Sequence, residues 1–415
     1  MYLCRCHPCH RTTVDLIGGA VARVADSPEI PPSPPLSAGT RELVGCTAVG
    51  RPWPLIASPC TLLPRRDEIK AYRLLAWGQP AQVCEVPVPE PGPGEVLLKV
   101  AGAGACHTAL HLMDRPPHDD PHERPPFTLG HENAGWVEAL GAGVRGLTPG
   151  EPVAVAGAWG CGHCRACRQG CEMRCENIEQ VGSWGGGLGC DGGMAEYMLV
   201  PAARLLLPLG ELDPRDAAPL TDAALTPYHA IKASLPRLSG ASWVLVIGVG
   251  GLGHAAVQLL AALTPARVVA VDVDDEHLSL ARQVGAEETV LAGPAAAAEV
   301  RELTADRGAG LVLDCVGSGD SMALAVACAA AGGAVQIIGL HGGTLEVACG
   351  GLPFDCTLAT PYWGSTVELL EVLELAEAGR IHLRTERFAL SDVEEAYARL
   401  RSGRLLGRAV ITPHG

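Results

Sequence analysis

Cys161, Cys164, Cys167 and Cys175 are spaced C-x2-C-x2-C-x7-C. Four thiolates in so short a stretch suit tetrahedral Zn2+ with Zn–S bonds near ~2.3 Å, and a site closed by four protein ligands leaves no position for a substrate. Its role is therefore structural. A redox Cys-x-x-Cys pair is the other use of such spacing, but no thioredoxin-like setting accompanies it here. Cys171, a fifth cysteine within the lobe, is expected to be a bystander. A second set of ligand-type residues is dispersed: Cys106, His131, Glu132 and Asp222. Each alone reads as an ordinary core residue, and spacing by itself does not assemble them. Together they could offer S, N and O donors and leave one position open, which is what a catalytic zinc needs. Cys106 and Asp222 would then balance the charge of Zn2+.

Phosphate-binding chemistry is written into another stretch. An apolar run, Val244 to Ile247, leads into Gly248, Gly250 and Gly253 at G-x-G-x-x-G spacing, with Gly251 and Leu252 between the last two. The first glycine permits a tight turn, the second lets the backbone approach a pyrophosphate, and the third lets helix pack closely on strand. The helix that follows directs its free N–H groups at the phosphates. Asp272 ends the next strand, 19 residues after Gly253. Its carboxylate can accept from a ribose 2′-OH and would repel a 2′-phosphate, which favours NAD over NADP.

Elements must position these groups, and 415 residues suffice for two substantial domains. Residues 1–66 carry Pro31-Pro32-Ser33-Pro34-Pro35 and no sustained period, as a disordered leader would. The Cys4, Cys6, Cys9, His7 and His10 cluster within it reads as a solvated tail rather than an accessory metal site. Ile69 to Tyr72 begins the organised part, and Gly94 to Val100 reads as a strand. Short apolar segments separated by Gly and Pro suggest a β-rich, barrel-like domain. Gly192 to Val200 returns to strand, and Ala217 to Ser234 is helical in pattern. From Trp243 the pattern becomes β-α alternation, with strands expected at 243–247, 267–271, 310–314 and 333–338: a doubly wound α/β parallel sheet. Thr366 to Gly379 reads as an amphipathic helix. Ser391 to Arg401 and Arg408 to Thr412 read as a helix and then a strand that rejoins the first domain.

Bulk properties exclude several classes. The formal charge is −15 and no basic stripe appears, so neither nucleic acid nor an anionic membrane is an expected partner. Trp243 to Leu263 is apolar enough to resemble a membrane span, but its glycines, His254 and Gln258 fit the dinucleotide turn better. No charged region followed by an apolar one opens the chain, and the 17 cysteines are odd in number and clustered. Metal ligation in a reducing, cytoplasmic setting is expected rather than disulfides.

From about residue 69 to the end, the chain resembles the zinc-dependent medium-chain alcohol dehydrogenases. The likeness rests on Cys106-His107-Thr108, Gly130-His131-Glu132, the four-cysteine lobe, Gly248 to Gly253, and Asp272. It is most like bacterial NAD-dependent enzymes, including secondary-alcohol dehydrogenases, through Pro219-Leu220-Thr221-Asp222-Ala223 and Thr360-Pro361-Tyr362-Trp363-Gly364. The resemblance implies a GroES-like catalytic domain over 67–222 with the structural-zinc lobe at 159–177. It also implies a Rossmann NAD-binding domain over 223–380 and a return to the catalytic domain over 381–415. Two Zn2+ per chain and NAD follow as cofactors. Cys106 and His131 match ligands of the catalytic zinc, and Asp222 stands where the family often has a cysteine. Glu132 matches a second-shell or transient ligand. Thr108 matches the hydroxyl that takes the alcohol proton, and His111 the outer end of the relay to solvent. Arg408 matches a basic residue that contacts the cofactor pyrophosphate. Ala109 is a departure, since the family often places an aspartate there to orient the zinc-bound histidine; losing such a partner could cost ~10–100-fold in metal binding or activity.

The expected reaction moves hydride between a primary or secondary alcohol and NAD, giving an aldehyde or ketone, in a homodimer or homotetramer. A polyol or aldehyde-adduct dehydrogenase of the same superfamily is the nearest alternative. A catalytically dead NAD- and zinc-binding protein is the alternative from another class. Tyr362 and Trp363 read either as walls of the cofactor or substrate site or as core.

Overall fold

The computed structural model describes residues 68–117, 120 and 122–415, so the leader and its Cys/His cluster lie outside the described residues. The described residues from 68 onward belong to one compact unit. Its β-rich part is built on a seven-stranded sheet. The strand Val96–Ala105 is central and pairs antiparallel with Glu132–Leu140, Tyr197–Val200 and Arg408–Thr412. The last of these comes from the C-terminal tail, which also brings Thr385–Ala389 alongside it in parallel. In the register, Gly104 faces Glu132. A Cβ on Gly104 would stand 1.8 Å from Glu132 Oε2, so only glycine leaves room for that carboxylate.

The second part is a six-stranded parallel sheet in the order Glu288–Leu291, Arg267–Asp272, Trp243–Ile247, Ala309–Asp314, Ala329–Ile337, Thr357–Ala359. Trp243–Ile247 is fully buried, and its residues alternate between two core clusters: Val244 and Val246 face one, Trp243, Leu245 and Ile247 the other. This is why the run is apolar throughout rather than alternating. The strand order reverses at Trp243–Ile247, and ligands of such sheets bind beyond the carboxyl ends of the strands at that point. Gly248, Asp272 and Cys315 lie at those ends.

Two strands of the parallel sheet have no counterpart in the sequence reading: Glu288–Leu291 and Thr357–Ala359. Both are short, partly exposed outer strands that need no apolar run. The helical pattern over Ala217 to Ser234 is also broken. Pro214–Ala217 is one α-turn, Ala218–Thr221 is a 3₁₀ turn, and the longer helix spans Leu225–Ser234. Asp222 sits in the break with φ −143° and ψ −59°. Gly192 to Val200 becomes strand only from Tyr197. The helix Thr366–Glu377 starts at a Ser365–Glu368 capping box, and Gly379 just beyond its end has φ +66°. No helix among the described residues is long and apolar enough to cross a membrane.

Candidate active site

The four lobe cysteines converge, with one sulfur from each within 4.8 Å of the others. Cys161 Sγ and Cys167 Sγ are 4.0 Å apart, near the ~3.8 Å edge of a tetrahedron with ~2.3 Å Zn–S bonds. Backbone N–H groups are aimed at the sulfurs: Cys164 N–H at Cys161 and Cys161 N–H at Cys175, both 3.3 Å, and Cys167 N–H at Cys164, 3.4 Å. Burial opposes a thiolate at Cys161, but N–H groups of His163, Cys164 and Asn177 outweigh it and bring the thiol down to about 5. None of the four is in a disulfide. Burial and the neighbouring Cys164 and Cys175 push the Cys167 thiol up, as expected where four thiols crowd together without a cation; with the sulfur spacing and N–H donors at three of the sulfurs, this fits a closed zinc site. Cys171 points its thiol toward the Gln169 carbonyl and is outside this group.

Three separate elements deliver the dispersed set. Cys106 directly follows the central strand and occupies the N-cap position of the helix His107–Asp114. His131 and Glu132 follow Gly130, whose φ of +98° turns the chain into the next strand. Asp222 comes from the helix break. Donor atoms of Cys106, His131, Glu132 and Asp222 lie within 4.8 Å of one another. His131 Nε2 is 3.5 Å from Asp222 Oδ2, and Cys106 Sγ is 4.0 Å from the same oxygen. Thr226, one helical turn after Asp222, donates to Asp222 Oδ1 at 2.6 Å. Arg408, which is 2% exposed, donates to Glu132 through Nε at 2.9 Å and through Nη2.

Burial opposes a thiolate at Cys106, yet the charge of Arg408 and the His131 ring bring it down to about 6. Burial likewise disfavours charge on His131, but bonds to Asp222 and Cys106 lift it to about 10. For Asp222, burial is outweighed by His131, and the carboxyl falls to about 2. Asp222 and Cys106 thus draw a proton onto His131, while burial lifts the Glu132 carboxyl to about 8 against the pull of Arg408. A divalent cation satisfies the same two groups and takes His131 as a neutral ligand, so the donor set fits zinc. His131 Nδ1 is buried without a hydrogen-bond partner among the described residues.

The dinucleotide turn faces the same cleft. Gly248 has φ +83°, and a Cβ on Gly253 would lie 1.8 Å from the Gly248 carbonyl oxygen. A Cβ on Gly250 would meet nothing within 4 Å, which leaves the approach to the helix Gly251–Leu263 open. Arg408 Nη1 lies 2.6 Å from where a Gly251 Cβ would stand, so this side chain spans from Glu132 to the glycine turn. Asp272 Oδ2 accepts the Val249 N–H at 2.6 Å. An open backbone turn, unpaired N–H groups at a helix start and an ordered carboxylate fit a dinucleotide.

One cleft of about 430 Å3 is lined by Cys106, Thr108, His111, His131 and Asp222 on one side, and by Gly248, Gly250, Gly251, Leu252, Gly253 and Asp272 on the other, with Arg408 between. Thr108 Oγ1 is 3.5 Å from Cys106 Sγ. His111 is half-buried, and burial and the neighbouring His341 hold its pKa below the usual value, so it is neutral at neutral pH. Tyr362 is 44% exposed in the cleft wall, whereas Trp363 is buried. The Trp363 indole N–H donates to the Thr221 carbonyl at 3.0 Å and its ring meets His131 edge-on, so it supports two ligand-bearing segments. His107, Thr226, His277 and His341 also line the cleft without having been singled out from sequence. Only Thr226, four residues after Asp222, left a spacing signal. A larger hollow of about 750 Å3 lies over the strands Glu68–Leu74 and Gln82–Pro87, but it gathers no ligand set and no phosphate turn.

Comparison with known proteins agrees with this geometry. Residues 92–211 match the alcohol dehydrogenase GroES-like domain, and residues 251–368 match the zinc-binding dehydrogenase model. An NAD-dependent alcohol dehydrogenase of Sulfurisphaera tokodaii is 32% identical over 357 residues, covering 83% of this chain and all of that protein. A D-arabinose 1-dehydrogenase (NADP(+)) of Saccharolobus solfataricus is 33% identical over 348 residues, 83% of this chain and 97% of that protein. The crystal structure of an alcohol dehydrogenase from Aeropyrum pernix superposes with a TM-score of 0.77 at 36% identity, over 83% of this chain and all of that one. Two ligand sets, a dinucleotide turn and relatives matched over nearly their whole length agree: the chain belongs to the zinc-type medium-chain alcohol dehydrogenase family.

Proposed function

We propose that this protein is an NAD-dependent alcohol dehydrogenase that interconverts a primary or secondary alcohol with its aldehyde or ketone. The observation that carries the reading is the shared cleft, in which a three-donor set and a dinucleotide turn face the same space. Cys106, His131 and Asp222 would hold one zinc, and Cys161, Cys164, Cys167 and Cys175 the other. When bound, zinc supplies a Lewis acid at the open position and NAD supplies the hydride acceptor. The residues of the chain do the rest. Asp272 and the glycine turn orient the coenzyme. Arg408, anchored on Glu132, presents its guanidinium to the pyrophosphate. Thr108 Oγ1 would accept the alcohol proton as it gives up its own hydroxyl proton, which passes by way of neutral His111 toward solvent.

The domain division at 67–222, 223–380 and 381–415 goes with this reading, as does a cytoplasmic setting in which the ligand thiols stay reduced. A homodimer or homotetramer also belongs to it. The outer strand Thr357–Ala359 has no partner on one side among the described strands, and Phe354 beside it is 86% exposed. Sedimentation showing only monomer at micromolar concentration would count against assembly.

The reading is tested by NADH formation at 340 nm with ethanol, 2-propanol, 2-butanol and 1-hexanol. Turnover with any of them supports it. Turnover with a sugar such as D-arabinose alone would favour the polyol alternative, which the arabinose dehydrogenase relative makes specific. Thr108→Val keeps the shape of the side chain but not its hydroxyl. Turnover is expected to fall ~10²–10⁴-fold with zinc content unchanged; a Thr108→Val enzyme as fast as the parent would remove Thr108 from the proton path.

A further inference from the structure

His277 lies in the first turns of the helix Asp275–Gln283, five residues after Asp272, and lines the cleft. Its ring is held between two acceptors. Nδ1 is 3.3 Å from Asp272 Oδ1, and Nε2 is 3.2 Å from the Leu405 carbonyl oxygen. A carboxylate and a carbonyl can only accept, so both bonds form together only when both ring nitrogens carry protons. The geometry therefore describes an imidazolium paired with Asp272. The pair is well shielded, the two side chains being 12% and 7% exposed.

This pairing changes what Asp272 can offer a ligand. Oδ2 already accepts the Val249 N–H, and Oδ1 accepts both the Asp274 N–H at 3.1 Å and His277. With about four lone-pair sites on a carboxylate, one place remains, on Oδ2. That is enough for one ribose hydroxyl. The charge is altered too: a group arriving at Asp272 meets a neutral pair rather than a bare anion.

We propose that His277 sets coenzyme selectivity, its imidazolium cancelling the charge with which Asp272 would turn away a 2′-phosphate. The proposal rests on reading the cleft as a dinucleotide site. Selectivity for NAD over NADP is then weakest when His277 is protonated and sharpens when it is not. The bond to Asp272 is the main cause that raises the His277 pKa above 6.5, partly offset by burial, so the change falls above pH 6.5. Other charged or titratable groups lie on the elements packed about it. Asp274 caps its own helix, Asp275 and Glu276 sit in that helix's first turn and Arg282 in its last, Arg404 adjoins Leu405 with its Nε donating to Ser402, Arg267 starts the Asp272 strand and pairs with Glu287, Glu288 starts the adjacent outer strand, and His254 is the titratable residue of the helix Gly251–Leu263. His254 is fully buried, accepts the Arg384 N–H at Nε2 and donates from Nδ1 to Gly250, and burial holds it down to about 4, so it stays neutral throughout.

The test is direct binding of NADH and NADPH, by nicotinamide fluorescence, at pH 6.5 and pH 9.5. Both values lie above the ~6 at which a phosphate monoester itself titrates. The ratio of the two dissociation constants isolates the adenosine end, because changes at the metal site act on both coenzymes alike. In the parent protein the ratio Kd(NADPH)/Kd(NADH) is expected to rise roughly tenfold across this range, as one screened charge near the phosphate is lost. His277→Gln should hold the high ratio at both pH values, and His277→Lys the low one. A ratio that stays flat in the parent, or that changes equally in His277→Gln, would overturn the proposal while leaving the coenzyme reading intact. Failure of both dinucleotides to bind the parent would overturn the coenzyme reading, and the proposal with it.

Discussion

Asp222→Ala should lose one of two zinc atoms and at least ~10³-fold of turnover, the several kcal/mol that a metal Lewis acid contributes, while the fold persists. In the proposed site Asp222 would provide one of three donors, and it is one of two acidic groups beside His131. Its backbone lies in an irregular segment between two helical pieces, so removing the carboxylate breaks no regular hydrogen-bond ladder. Arg408 keeps its pairing with Glu132, which limits the damage to the metal site. The four-cysteine lobe is held by its own N–H···S bonds and should keep its zinc. Asp222→Cys restores an anionic donor on a similarly short stem and is expected to recover the second zinc in large part. Metal analysis beside circular dichroism decides the matter. A variant that keeps both zinc atoms would remove Asp222 from the ligand set, and one that unfolds would show a structural role instead.

Gly253→Val and Gly250→Ala are expected to fail in different ways. A Cβ at 253 would lie 1.8 Å from the Gly248 oxygen and 2.8 Å from its carbonyl carbon. The helix must then move away from the strand, as in an overpacked core, at a cost of about 1–3 kcal/mol or more, and the turn that receives the pyrophosphate moves with it. NADH binding should weaken by at least ~100-fold, since the lost helix-terminus and turn contacts act together. At 250 the added methyl meets no protein atom within 4 Å. Gly250→Ala should therefore denature at the same urea concentration as the parent and yet bind NADH more weakly, because the methyl occupies the space the phosphates approach. Unchanged NADH affinity in both variants would show that the dinucleotide does not bind at this turn.

The sequence was most readable where the chemistry is local. The four lobe cysteines fall within fifteen residues, so spacing alone brings them together. The glycine turn is equally local, and the buried strands around it, Trp243–Ile247 and Arg267–Asp272, carry unbroken apolar runs. The dispersed set is different. Cys106 and Asp222 are 116 residues apart, and only the pairing of strands and the break before Leu225 join them; family resemblance, not spacing, singled them out. Helical periodicity hid that break, because Ala218, Leu220 and Leu225 are buried whether or not the helix is continuous. His277 could not be read at all. Its role depends on a carbonyl 128 residues further on, brought back when the C-terminal tail rejoins the first sheet.

The most direct measurement is zinc per chain, followed through mild chelation with dipicolinate while NADH formation and NADH binding are monitored on the same samples. Two zinc atoms are expected. The one held by three protein donors should leave first and take turnover with it, while NADH binding and the fold remain. A protein that carries a single zinc, or one whose turnover survives loss of the first zinc, would contradict a metal at Cys106, His131 and Asp222 as the centre of the chemistry.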